Sequence, residues 1–509
     1  MDKGQLMILL AMIGYLGMIV VIGIKCGKHN KTSEDFYIGG RGLGPWVTAM
    51  SAEASDMSGW LLMGLPGLAY ASGIADAGWT AIGLALGTYL NWKLIAVRLR
   101  SYTAVVESIT IPDYFSNRFH DKKKILMNIA ALFILIFFVV YTASGFVACG
   151  KVFVSLFGFS YVPAMIASAF IILIYTVIGG FMAESTVDFV QGTLMFVALI
   201  IAVSAAVSLV GGPAQVLENT GVYPGYLSMF NTSDMSSNSA LPFGIDKILS
   251  ALAWGLGYVG MPHILLRFMA IRDASELKKS RRIGTTWCFI SLIMAVLIGL
   301  VGRALYPDML TGTNTENIFI ILCKNLFATG FLPIIGGVML SGILAAQIST
   351  SDSQLLLASS AVSQNFYQQL LNPKATDKQV MWVSRITILL ISIAAGILAF
   401  NPNSSIFKIV SFAWAGFGAA FGPLVFFSLY WKRTNLHGAI AGMVAGGGTV
   451  LIWKLLLSPL GGIFSIYELL PAFIISSLTI MIVSSLTPEP SSEIYKEFET
   501  ANRMSQQHS

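Results

Sequence analysis

The chain has 509 residues, of which 55% are hydrophobic and 11% charged, with a mean hydropathy of +0.75 and a formal net charge of +6. No soluble globular domain of this size has such a composition, so the chain reads as an integral membrane protein. Its positive balance is mostly topological bias and gives no support for nucleic-acid binding.

A membrane-spanning helix needs about 20 predominantly apolar residues, and thirteen segments qualify. In chain order they cover 5–24, 46–73, 79–97, 125–149, 161–182, 189–210, 245–267, 284–303, 331–360, 383–400, 406–430, 438–456 and 467–486. No small-residue cleavage pattern follows the first, which is therefore expected to be retained rather than removed as a signal peptide. Residues 1–45 form an extra helix and a cytoplasmic loop. A first five-span unit follows over 46–210, and residues 211–244, rich in Gly, Pro, Ser and Asn, form an external connection. A second five-span unit covers 245–430, and two further helices cover 431–486. The polar tail, 487–509, reads as partly helical or disordered, with no folded domain.

Each five-span unit opens on a segment broken by glycine and proline: Ala49–Tyr70, AMSAEASDMSGWLLMGLPGLAY, and Leu249–Phe268, LSALAWGLGYVGMPHILLRF. In lipid, irregular backbone is tolerated only where it lines a cavity or faces a ligand. An odd number of spans per unit makes the second enter the membrane in the opposite direction, so the two units are expected to be inverted repeats with the binding site at the paired breaks.

Lysine and arginine concentrate on one side, at Lys25, Lys28, Lys31 and Arg41, at Arg98, Arg100, Arg118 and Lys122 to Lys124, and at Arg267, Arg272, Lys278, Lys279, Arg281 and Arg282. Lys374, Lys378, Arg385, Lys432, Arg433, Lys496 and Arg503 continue the series. Positive loops face the cytoplasm, which puts the N-terminus outside and the C-terminus inside. Cys26, Cys149, Cys288 and Cys323 have neither paired spacing nor a nearby histidine pattern, so neither a disulfide framework nor a transition-metal site is expected.

The first break carries two carboxylates, Glu53 and Asp56, among Ser51, Ser55 and Ser58, with Gly59 behind. Ionisable groups inside a membrane usually face an aqueous cavity, and either could attract a cation. The ninth span, SGILAAQISTSDSQLLLASS, places Ser349 and Thr350 beside Ser341, Ser351 and Ser353; these hydroxyls serve either a hard cation or helix–helix hydrogen bonds. Trp254 and Tyr258, four apart in the second broken segment, either enclose a solute or pack the bundle. Glu184 and Asp188 read as interfacial residues or as a second ion-linked pair. Gln347 and Asp352 are placed at an intracellular exit, and His263 is read as a structural donor. No HExxH, no GxxxxGK[ST] and no nucleophile–base pairing within a span supports an enzyme or a primary pump.

Three runs, SAEASDMSGWLLMGLPG, AWGLGYVGMPHILLRFMA and AAQISTSDSQLLLASSAV, closely resemble the sodium/proline symporters of the sodium:solute symporter family. YTVIGGFMA from Tyr175 and SLYWKRTNLHGAIAGMVAGG from Ser428 match the same family's patterns, so the resemblance spans essentially the whole chain. It implies an all-α protein of about thirteen transmembrane helices with a core like that of the LeuT amino-acid transporter. It further implies a sodium site where the first broken helix meets the eighth core helix, with carbonyls of Ala54, Met57 and Ala346 and hydroxyls of Ser349 and Thr350. By the same resemblance Asp56 is critical for ion coupling, and Ser58 and Gly59 affect substrate and ion affinity. The substrate pocket falls on Tyr141, Trp254 and Tyr258, beside Pro262. The function implied is Na⁺-coupled uptake of L-proline across the cell membrane, with Na⁺ co-transported and no obligate protein partner. The alternative is a sodium symporter for another small amino acid or a monocarboxylate.

Overall fold

The computed structural model describes residues 2–27, 33–328, 330 and 332–508. Lys28 and Lys31, two of the charges used to orient the chain, lie outside the described residues. Among those described, ten helices are long and apolar enough to cross a membrane, and the bent pair Ile245–Gly260 and Pro262–Ala270 makes eleven. The two other expected spans are built differently: 45–72 is interrupted at its middle, and Tyr161–Ile174 is a shorter apolar helix.

Pro45 sits at the start of the first broken helix, where its missing N–H costs nothing, and the helix runs as Pro45–Asp56. It stops at Met57, whose ψ of 78° is not helical. The chain resumes as a wide turn, Trp60–Gly64, and continues as Leu65–Ser72. The second broken helix passes from Ile245–Leu252 into a tight 3₁₀ stretch, Ala253–Gly260. Met261 is extended, and Pro262 opens Pro262–Ala270 after a bend of 44°. Pro262 cannot continue the preceding hydrogen-bond ladder, and at the first break the non-helical Met57 ends it, so both breaks release backbone groups inside the bundle.

Around the breaks, Pro45–Asp56 packs on the C-terminal half of Tyr161–Val210, on Leu277–Leu305 and on Pro262–Ala270. The long helix Leu332–Ser360 packs on the leading helix Lys3–Gly27, on Ile125–Phe157 and on Tyr161–Val210. Ile406–Tyr430 lies along the 3₁₀ stretch of the second break.

Two connections differ from expectation. The fifth and sixth spans are joined not by a linker over 183–188 but by one corner at Gly180, with φ 67° and ψ 178°, inside the helix Tyr161–Val210. That left-handed φ favours glycine, and it places Glu184 and Asp188 inside the sixth span. The connection over 211–244 also has structure of its own: a helix, Pro213–Gly221, and an antiparallel hairpin, Asn231–Asp234 with Ser239–Pro242. From it the buried Tyr226 donates to the Ala69 carbonyl at 2.8 Å. The tail forms one amphipathic helix, Ser492–His508, which docks on Val97–Val105 through Phe498 against Tyr102 and Arg98 donating to Asn502 at 2.9 Å. Cys149, Cys288 and Cys323 are buried and unpaired.

Candidate ion and solute site

Where Pro45–Asp56 ends against Leu332–Ser360, the Ser349 hydroxyl donates to the carbonyl of Ala54 at 2.7 Å and lies 3.2 Å from that of Ala346. Thr350, next along the helix, is buried with a hydroxyl that has no hydrogen-bond partner. Met57 occupies the non-helical turn beside them, donating its N–H to Glu53. Four of the five proposed sodium ligands thus lie on the two facing elements within one turn of each other, and Met57 adjoins them.

Asp56, the last helical residue before the break, is 1% exposed, and neither carboxylate oxygen has a hydrogen-bond partner. Its carbonyl, freed by the break, accepts instead from Ser58 N–H at 3.0 Å, Trp60 Nε1 at 3.1 Å and the Tyr141 hydroxyl at 3.2 Å. The break and the proposed solute pocket therefore share one backbone group. The buried Ser58 hydroxyl is also without a partner. Glu53 points elsewhere: one oxygen accepts from Trp92 Nε1 at 3.0 Å and the other is unpartnered.

Tyr258 is buried edge-on to Trp414, with ring centroids 5.1 Å apart, and its hydroxyl has no partner. Trp254 stacks on Tyr467 at 5.4 Å and packs on Phe407 at 4.8 Å and on Trp60 at 6.4 Å. It also lines a cavity of about 420 Å³ that opens among Lys247, Lys408, Lys454, Asp76, Asp246 and Glu468. Trp254 thus forms the boundary between this charged vestibule and the buried break. Pro262 begins the helix beyond Met261 and contributes shape rather than a polar contact.

Below the ion residues the structure assembles a buried charge cluster. Arg267 is 0% exposed. It pairs with Glu184, reaches Asp188 at 3.3 Å, and donates to Ser353 at 2.7 Å, Ser51 at 3.1 Å and the His263 carbonyl at 2.9 Å. Ser51 and Ser55 donate to Asp188 at 2.6 and 3.1 Å. Asp352 is buried with one oxygen unpartnered. Glu184 and Asp188 are therefore not interfacial: both are buried, with the arginine compensating charge that would otherwise be prohibitive in low dielectric. Arg267 is the residue that sequence reasoning missed, by counting it among cytoplasmic charges. Its signal was an arginine inside the apolar run PHILLRFMA.

His263 departs from the structural-donor reading. Neither ring nitrogen has a hydrogen-bond partner, and the ring packs edge-on to Phe138 at 5.6 Å and Tyr141 at 6.3 Å. Gln347 faces not an exit but Gly59 and Gly145, in the space their missing side chains leave. Among the described residues no group of three or more His, Cys, Asp and Glu could hold a metal ion, so a cation here would rest on carbonyls and hydroxyls, the oxygen donors that suit a hard ion.

A family model described as "Sodium:solute symporter family" matches residues 36–446. The chain is 44% identical over 487 residues to the osmoregulated proline transporter OpuE of Bacillus subtilis (strain 168), covering 95% of this chain and 96% of that protein. It is 44% identical over 494 residues to the sodium/proline symporter of Escherichia coli (strain K12), covering 96% and 95%. Among solved structures it resembles a Na⁺-coupled sialic acid symporter in a substrate-bound outward-open state, with TM-score 0.77 and 18% identity over 95% of this chain and 99% of the other. That likeness shows the fold, a LeuT-type helical core.

Proposed function

The chain belongs to the sodium:solute symporter family, and from that premise we propose that it couples inward flow of Na⁺ to uptake of L-proline by alternating access. It is a multi-pass membrane transporter rather than an enzyme. The observation that carries the coupling is the contact of Ser349 with the Ala54 and Ala346 carbonyls, one turn from the Asp56 carboxylate at the break. Na⁺ replacing that hydroxyl–carbonyl hydrogen bond would draw five oxygens from the two elements, those of Ala54, Met57, Ala346, Ser349 and Thr350. It would thereby hold the broken helix against Leu332–Ser360, with Asp56 supplying negative charge in a low-dielectric setting.

The solute is read next to the ion because both depend on the same unwound turn. Tyr141 holds the Asp56 carbonyl, and Trp254 and Tyr258 offer aromatic faces to a compact pyrrolidine ring. Freed backbone N–H groups at a broken helix suit a carboxylate. Ion binding that orders the turn therefore raises solute affinity, and by linkage solute raises ion affinity equally. The basic loops support an external N-terminus and a cytoplasmic C-terminus in the cell membrane; a reporter fused at each end, active on one side only, tests that orientation.

The test of function is radiolabelled proline uptake into proteoliposomes with and without an inward Na⁺ gradient. Accumulation that needs the gradient and saturates with proline is expected. Uptake indifferent to Na⁺ overturns the coupling, and Na⁺-driven uptake of another small amino acid or monocarboxylate in preference to proline overturns the solute assignment.

A further inference from the structure

Gln347 lies on Leu332–Ser360, next to Ala346, and is 1% exposed. Its amide nitrogen has no hydrogen-bond partner. Two glycines make room for it from opposite sides. A side chain at residue 59, in the break, would overlap the Gln347 amide nitrogen, and a Cβ at residue 145 would come within 3.1 Å of the amide oxygen. Gly145 lies one turn beyond Tyr141 on Ile125–Phe157, and the Tyr141 hydroxyl binds the Asp56 carbonyl. The amide is therefore wedged between the unwound turn and the helix that carries the tyrosine, with its nitrogen packed against Gly59.

A buried N–H₂ left unpaired is destabilising, and an apolar side chain of similar size would avoid that cost. A donor held ready at the break is explained if its partner arrives with the solute. The acceptor that suits it best is an anionic oxygen, because a charge-assisted hydrogen bond is roughly twice as strong as a neutral one. Ser58, in the same turn, has a hydroxyl that is also buried and unpartnered and can act as a second donor. We propose that Gln347 is a substrate contact that donates its side-chain amide to the carboxylate of the transported amino acid, which makes it a determinant of selectivity for amino acids over uncharged analogues. The inference rests on the proline reading above.

The test is direct binding of L-proline and of L-prolinamide, which lacks the carboxylate, to purified full-length protein in saturating Na⁺, normalised to monodisperse folded material. In Gln347→Leu the Kd for proline should rise roughly ten- to a hundredfold, the loss of one hydrogen bond to a charged group. The Kd for prolinamide, weaker from the start, should change little, and Na⁺ affinity measured without solute should stay near that of the parent protein. Gln347→Met, which also keeps the volume, serves if the leucine variant does not fold. An unchanged proline Kd overturns the proposal. So does an equal loss for proline and prolinamide, since a packing residue would weaken both alike. Failure of the parent protein to bind proline at all would overturn the functional reading instead, so the two failures are distinguishable.

Discussion

Ser349 and Thr350 are neighbours with opposite circumstances. The first already spends its hydroxyl on the Ala54 carbonyl, and the second has none of its bonding satisfied. If both oxygens belong to the ion, removing either costs the ion a ligand. Ser349→Ala and Thr350→Ala should each raise the Na⁺ concentration for half-maximal proline uptake roughly tenfold or more, at about 1.5–3 kcal/mol per lost contact to a charge, with little loss of protein from the membrane. Na⁺ titration of uptake at fixed proline checks this. Helix–helix hydrogen bonding alone would lower protein yield and leave the Na⁺ dependence as it was. Asp56 is a sharper case, because both of its oxygens are buried and unpartnered. Asp56→Asn keeps the shape but removes the charge that favours a cation in low dielectric, and should nearly abolish Na⁺-driven uptake; initial rates against Na⁺ in the purified variant measure it.

Among the elements, the second broken helix depends on how closely its backbone can approach its neighbours. Gly255 lies against the backbone of Gly83 and Gly87 on Ile74–Leu90, and a Cβ at 255 would run into the Gly83 carbonyl. Small residues at such crossings let helices pack without a hydrophobic driving force, which lipid does not provide. Gly255→Val should therefore push the 3₁₀ stretch off its neighbour, lower the thermal midpoint by several degrees and weaken proline binding through displacement of Trp254 and Tyr258. A thermal shift assay and a proline titration on the same sample check both effects. Normal stability in this variant would mean that the crossing can relax.

At the scale of the whole molecule, distant segments are tied together by buried charge. Glu316, in the connection after Leu277–Leu305, binds Lys151 at 2.7 Å and accepts from Ser405 at 2.8 Å and from the N–H groups of Ile406 and Phe407 at 3.1 and 3.2 Å. One carboxylate thus joins Ile125–Phe157, the connection that carries it and the N-terminus of Ile406–Tyr430, whose Phe407 packs on Trp254. Glu316→Ala leaves the Lys151 ammonium buried without its countercharge, which costs about 3–5 kcal/mol. The expected result is a lower thermal midpoint and a sharply reduced folded yield, with Lys151→Met recovering part of the loss in the double variant. Additive losses in the double variant would show that the two groups act independently.

The sequence by itself determined the membrane class, the positions of the spans and the two breaks, because each rests on local physics. About 20 apolar residues cross a bilayer, and glycine and proline weaken the helical ladder locally. It also singled out Asp56, Ser349 and Thr350, since intramembrane polar residues are few and stand out. Tertiary structure alone decided which groups meet. That Ser349 touches Ala54, that Gln347 fills the space beside Gly59 rather than lining an exit, and that Arg267 joins Glu184 and Asp188 across two helices are all contacts between segments far apart in the chain. The side-chain burial of Arg267 could not be read from its place at a span's end, because it depends on contacts with Ser51, Glu184, Asp188 and Ser353 on other segments. Likewise one left-handed glycine at 180, rather than any property of Glu184 or Asp188, carried those carboxylates from the interface into the core.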